Sequence, residues 1–200
     1  MKRIATITLA LLTSLALAAC GGEDNDDADV MPGMDGDTSS ATDPADTGEH
    51  NSADVMFTQM MIPHHAQAVE MSDLILAKDD VDDDLTALAE QIKAAQQPEI
   101  ELMEGWLDEW GEDMPAMGGM DDGMNGMMSA AEMVALEEAT GDDAARMYLE
   151  SMKVHHEGAI EMAQTELDDG SSAEAIELAE AIIAAQEAEI VEIDDLLASL

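Results

Sequence analysis

The 200-residue chain carries 47 Asp and Glu against 6 Lys and Arg, a formal charge of −41, with one cysteine and 18 methionines. So acidic a surface repels nucleic-acid phosphates and anionic lipid, which excludes functions built on binding either. It reads first as a solvated face, and second as a field that gathers cations without choosing among them. A lone cysteine excludes an internal disulfide.

Met1, Lys2 and Arg3 open the chain, and Ile4 to Ala19 form an almost uncharged apolar run. The run is too short for a spanning helix and reads as a secretory signal over residues 1–19. It ends in Leu17-Ala18-Ala19-Cys20-Gly21, which resembles a bacterial lipobox. Cys20 is therefore the expected lipidation site, and the alternative is a free thiol behind a signal peptide. The expectation is an exported protein, held by lipid on the cell membrane and facing the periplasm or cell exterior. Residues 20–51, rich in Asp, Gly, Ser, Thr and Pro, bury too little apolar surface to offset chain entropy. They read as a disordered acidic tether.

Residues 52–200 contain an internal repeat. Met61-Ile-Pro-His64-His65-Ala-Gln-Ala68-Val-Glu70-Met71 returns 91 positions later as Met152-Lys-Val-His155-His156-Glu-Gly-Ala159-Ile-Glu161-Met162. The block from Leu88 to Ile100 returns 90 positions later as Leu178 to Ile190. Repeat one spans 52–111 and repeat two 142–200. Each reads as two helices, because Ala, Leu, Glu, Gln and Met dominate and apolar residues recur every three or four positions. Ser52 or Asp54 is the expected first cap, and the acidic run Asp79 to Asp84 the turn. Asp142 is the expected cap of the third long helix, which Gly170 ends. Ser171 with Glu174 forms a capping-box pattern for the last helix. The connecting stretch, 112–141, interleaves methionines with Gly, Asp, Asn and Pro, and Ser129 with Glu132 marks a short extra helix. The expected fold is all-α: a four-helix bundle of two tandem helical hairpins, joined by a Met/Gly-rich crossover.

On a helix at 100° per residue, Met61, His64, His65, Ala68 and Met71 share one face about 120° wide, and Glu70 lies opposite. Met152, His155, His156, Ala159 and Met162 repeat the arrangement. Imidazole suits several transition metals, whereas thioether favours soft ions, Cu(I) first among them. Zinc would call for Cys or carboxylate alongside His. Four of the five histidines stand in these two clusters, so the candidate metal ligands are Met61, His64, His65, Met71, Met152, His155, His156 and Met162. The competing reading makes the methionines core and the histidines simply hydrogen-bonded. Pro63 leaves two options for the first helix: a bend before the histidines, or a new helix start that takes Met61 off the shared face.

The second helices offer Gln96, Glu99 and Met103, matched by Gln186, Glu189 and Ile193. They are either partners that orient the imidazoles or solvent-facing residues. Met103 is a weaker candidate ligand, since Ile193 replaces it in the second copy. In the crossover Met114, Met117, Met120, Met124 and Met127 form a weaker candidate set. Their spacing resembles methionine-rich copper-capturing segments.

The stretch Phe57 to Met71, the block Ala89 to Trp106 and their second copies resemble the domain of unknown function 305 family. That family's hallmark is a Met-x-x-His-His-x-x-Ala-x-x-Met helix followed by a Gln-x-x-Glu-Ile helix, and the likeness covers residues 52–200. The resemblance implies a ferritin-like bundle, usually exported, with copper-binding members linked to copper tolerance. The motif positions are Met61, His64, His65 and Met71, then Met152, His155, His156 and Met162. No reaction is attached to the family as a whole.

The resulting expectation is a non-enzymatic copper-binding lipoprotein that sequesters or hands on Cu(I). One rival is a metal-free envelope module. The other is a redox metalloenzyme, whose di-iron version needs Glu-x-x-His pairs that this chain lacks. No nucleophile triad or phosphate loop is evident. The order of residues is compatible both with one site shared by the two clusters and with two separate sites.

Overall fold

Asn51 starts the first helix. Its Oδ1 accepts from the backbone N–H of Ala53 and Asp54, and the Asp54 carboxylate accepts in return from the Asn51 N–H, closing a capping box. The cap thus sits one residue before the expected Ser52, with Asp54 as the reciprocating third residue. The structure, a computed structural model, describes residues 50–114 and 126–200. The expected signal, Cys20 and the tether as far as residue 49 lie outside the described residues.

Five helices follow in order: α1 Ser52–Leu76, α2 Asp83–Trp110, α3 Ala130–Glu138, α4 Gly141–Asp169 and α5 Ala173–Ser199. Among the described residues there is no strand, and no helix is long and apolar enough to cross a membrane. Pro63 sits inside a continuous α1, and Met61 is fully buried, so the helix does not restart at the proline. Asp82 caps α2, and Gly111 ends it in the left-handed region at φ 73°. Ser129 and Glu132 cap α3 as expected. Two further caps differ from expectation. Thr140 precedes α4 without a side-chain bond, which leaves Asp142 in the first turn, where its charge suits the helix dipole. Ser172, not Ser171, caps α5, because Ser171 donates instead to Asp54.

α1 packs on α2 and α4 on α5. The two hairpins meet through α1 against α4, with α2 touching α5, and α3 lies across α1 and α4. The core falls into two apolar clusters. One holds Met71, Ile75, Leu88, Tyr148, Met152 and Ile193, with Met128 and Leu136 from the crossover and α3. The other holds Phe57, Met61, Met103, Trp106, Met162 and Ile182. Because α1 and α4 run past each other in opposite senses, Met61 joins Met162 on one side and Met71 joins Met152 on the other. The histidines lie on α1 and α4 between these methionine pairs. Tyr148 ties the first cluster across the hairpins, its hydroxyl 3.1 Å from Ser72 Oγ, which itself donates to the Ala68 carbonyl.

Candidate metal centre

His64, His65, His155 and His156 are all fully buried, in a layer between two apolar clusters. The rings of His64 and His155 meet across the α1/α4 contact, with centroids 3.7 Å apart and planes inclined by 36°. The clusters at Met61–Met71 and Met152–Met162 therefore converge on one layer rather than occupying opposite ends of the bundle.

The outer histidine of each pair is held by a carboxylate. His65 Nε2 lies 2.8 Å from Glu99 Oε2, and His156 Nε2 lies 2.7 Å from Glu189 Oε2. A carboxylate there accepts the Nε2–H, which leaves Nδ1 as the lone-pair nitrogen. The Nδ1 atoms of His65 and His156 are buried and make no protein hydrogen bond. Glu189 also receives a 3.3 Å bond from Gln91 of the other hairpin, which fixes its carboxylate from a second side. Of the two options left by the sequence, Glu99 and Glu189 thus take the orienting one. Gln96 and Gln186 are buried beside them in sequence, not solvent-facing.

His155 differs from its neighbours. Neither ring nitrogen has a hydrogen-bond partner of good geometry. Burial first, then the His64, His156 and His65 rings, hold it well below the ordinary histidine value, against an opposing pull from the His64 backbone. The ring is neutral at neutral pH and keeps a lone pair inside an apolar surround. A buried polar atom of this kind demands a partner.

Met61, Met71 and Met152 are fully buried and Met162 nearly so, as the helical-face arithmetic requires. Met103 of α2 is fully buried in the cluster with Met61 and Met162. Met114 is exposed and Met127 half-buried, so neither shares the histidine layer's burial. Met117, Met120 and Met124 lie outside the described residues. Glu70 is exposed, on the face away from the histidines. Among the described residues, no three His, Cys, Asp or Glu side chains close on one point as a metal cage. A metal held in this layer would need thioether as well as imidazole.

Two features had no signal in the helical periodicity. Gln67 clamps the end of the crossover, its Nε2 donating to the Met128 carbonyl at 2.8 Å and its Oε1 accepting from the Met128 N–H at 2.7 Å. Gly126, at φ 84°, brings the same segment against the α4 backbone, where an added Cβ would meet the Val154 carbonyl at 2.4 Å. At the other end, Asp54 accepts from the backbone N–H groups of Ser171 and Ser172 and stands beside buried Glu166. Burial first, then the Asp54 carboxylate, push the Glu166 carboxyl up to about 8. Burial would raise Asp54 too, but hydrogen bonds from Glu166 and from the Ser172, Asn51 and Ser171 backbone outweigh it and hold Asp54 below its ordinary value.

Residues 54–197 match the family described as Domain of unknown function (DUF305). The chain belongs to the DUF305 family. Three solved structures show the same bundle. A DUF305 protein of Streptomyces coelicolor, held to be secreted, is 36% identical with a TM-score of 0.67, over 74% of this chain and 91% of that one. A DUF305 fragment from Deinococcus radiodurans is 30% identical with a TM-score of 0.69, over 75% and 98%. CopM in its Cu(I)-bound form is 28% identical with a TM-score of 0.63, over 73% and 96%. CopM has also been solved with Cu(II), with Ag and in the apo form. Among curated proteins, none matches. Membership of DUF305 and the all-α four-helix architecture both agree with the sequence expectation.

Proposed function

We propose that this DUF305 protein is an exported, lipid-anchored copper-binding protein. In this reading it holds Cu(I) as cargo in the histidine–methionine layer and sequesters it or passes it on. The observation that carries this reading is His155. It is neutral, buried and without a well-formed hydrogen bond, its ring lies tilted against that of His64, and thioethers flank the layer on both sides. Imidazole with thioether, in the absence of thiolate, is the donor set of a soft ion. The copper- and silver-bound forms of CopM support the same class of metal. His64, His65, His155 and His156 are the proposed nitrogen ligands, and Met61, Met71, Met152 and Met162 the proposed sulfur ligands. Glu99 and Glu189 orient the outer imidazoles.

The role is binding rather than turnover. In this reading the fully buried histidines give their remaining lone pairs to the metal rather than to a substrate. Export and lipidation at Cys20 rest on the leader and lipobox pattern alone.

The test is an anaerobic Cu(I) competition titration of the full chain. It compares wild type with a variant in which His64, His65, His155 and His156 are all alanine, circular dichroism confirming that both are helical. Tight binding lost in the variant is the expected result. Equal affinity in both would move copper out of the layer, and binding by neither would leave a metal-free bundle.

A further inference from the structure

The histidine layer is buried from both ends, but a cleft opens beyond one of them. On the Met71/Met152 side, Met128 and Leu136 are buried in the core, α3 lies across α1 and α4, and the Gln67 clamp holds the chain down. On the Met61/Met162 side, a cleft of about 720 Å³ runs between the start of α1 and the end of α4. Its lining includes Met56, Phe57, Met60, Met162, Glu166 and Asp169. The thioethers step inward through it. Met56 is 60% exposed, Met60 is half-buried against the core cluster, and Met162 is 9% exposed. Fully buried Met61 lies directly behind Met60 in the chain, beside His64.

We infer that this cleft is a second soft-metal site, in which the Met56 and Met60 thioethers take up a monovalent soft cation and pass it by way of Met162 to the buried layer. The inference rests on the copper-binding reading of that layer. Three features distinguish the site from a plain apolar groove. First, α1 places Met56 and Met60 one turn apart on the face toward α4, so both sulfurs serve one cleft. Second, Asp169 lies at its acidic mouth in a chain of charge −41, which concentrates cations there. Thioether walls then select soft ions from among them. Third, in the second hairpin Met147 matches Met56 but Ser151 stands where the first has Met60, so two thioethers one turn apart occur on α1 and not on α4. Transfer is a ligand exchange: one sulfur–metal bond forms as another breaks, and no electron moves.

The test follows the ε-methyl resonances of ¹³C-methyl-methionine in the full chain during titration with Ag(I), which is soft and redox-stable. The variants Met56→Leu and Met60→Leu assign the two peaks. Both peaks are expected to shift with Ag(I) and to stay in place with Zn(II), which the same carboxylates attract but thioether binds poorly. In the double variant the layer should still fill at equilibrium, with stopped-flow loading slowed at least tenfold. If the Met61, Met71, Met152 and Met162 peaks move while Met56 and Met60 do not, the cleft site is wrong and the layer stands. If none moves, both readings fail. An unchanged loading rate, or an equal response to Zn(II), also overturns the cleft site.

Discussion

His64 and His155 stand 91 positions apart in the chain, yet their ring centroids lie 3.7 Å apart at the centre of the bundle. Two clusters that could each have served a separate metal are thereby merged into one layer. Substitutions within one layer should not behave independently.

His64→Ala and His155→Ala are each expected to weaken Cu(I) binding at least tenfold. The double variant should fall only a few-fold further, a coupling of about 0.5–3 kcal/mol. A double-mutant cycle by competition titration checks this. Losses that add in full would show two independent sites.

The carboxylates behind the outer histidines give a second expectation. Replacing a group that orients a ligating imidazole typically costs about 10–100-fold in metal affinity. Glu189→Gln should fall in that range. Glu99→Gln should cost less, because its side chain is 22% exposed against 5% for Glu189, so water can replace part of its role. Isothermal titration of both variants, with helicity unchanged, makes the comparison.

Stability should depend on pH from both directions. His155 has a folded value below its unfolded one, so the unfolded chain takes up the proton first as pH falls through the ordinary histidine range. Stability is lost on that side. Glu166 behaves oppositely, its folded value of about 8 lying above the ordinary 4.5. Its contribution is complete below pH 4.5, shrinks as pH rises, and is gone above 8. Glu166→Gln should therefore change little at pH 4.5 and stabilise the protein by roughly 2 kcal/mol at pH 9, the surrounding dielectric response trimming the full effect. Urea unfolding at the two pH values measures it, and equal effects at both would contradict the assignment.

The crossover clamp predicts two destabilising changes. Gln67→Leu strands the Met128 N–H and carbonyl, a loss of about 1–3 kcal/mol. Gly126→Ala and Gly111→Ala both place a side chain at positive φ, which costs about 1–2 kcal/mol. Only at Gly126 does the new Cβ also meet backbone, the Val154 carbonyl at 2.4 Å, whereas Gly111 opens on free space. Gly126→Ala should be clearly the worse of the two in thermal unfolding.

Much of this protein is written in local pattern. Helix spans, the turn at Asp82, the cap at Ser129 and the shared face of Met61, His64, His65, Ala68 and Met71 follow from periodicity and capping chemistry, which act over a few residues. The errors at Asn51, Thr140 and Ser172 have the same local scale. Several polar residues compete for each helix start, and a distant partner decides among them, as Asp54 does by drawing Ser171 away from the cap.

What periodicity could not supply is which side chains from different helices meet. Identical motifs on two helices are equally compatible with two layers or one, and the antiparallel crossing of α1 and α4 brings them into one layer. The same crossing pairs Met61 with Met162 and Met71 with Met152. It leaves His155 without a well-formed hydrogen bond, closes one end with Met128 and Leu136, and leaves the Met56–Met60 cleft open at the other. Donor chemistry is a property of residue type and is carried by the chain order. Shared burial, lost solvation and an open or closed end depend on distances between segments far apart in the chain, and those exist only once the hairpins have packed.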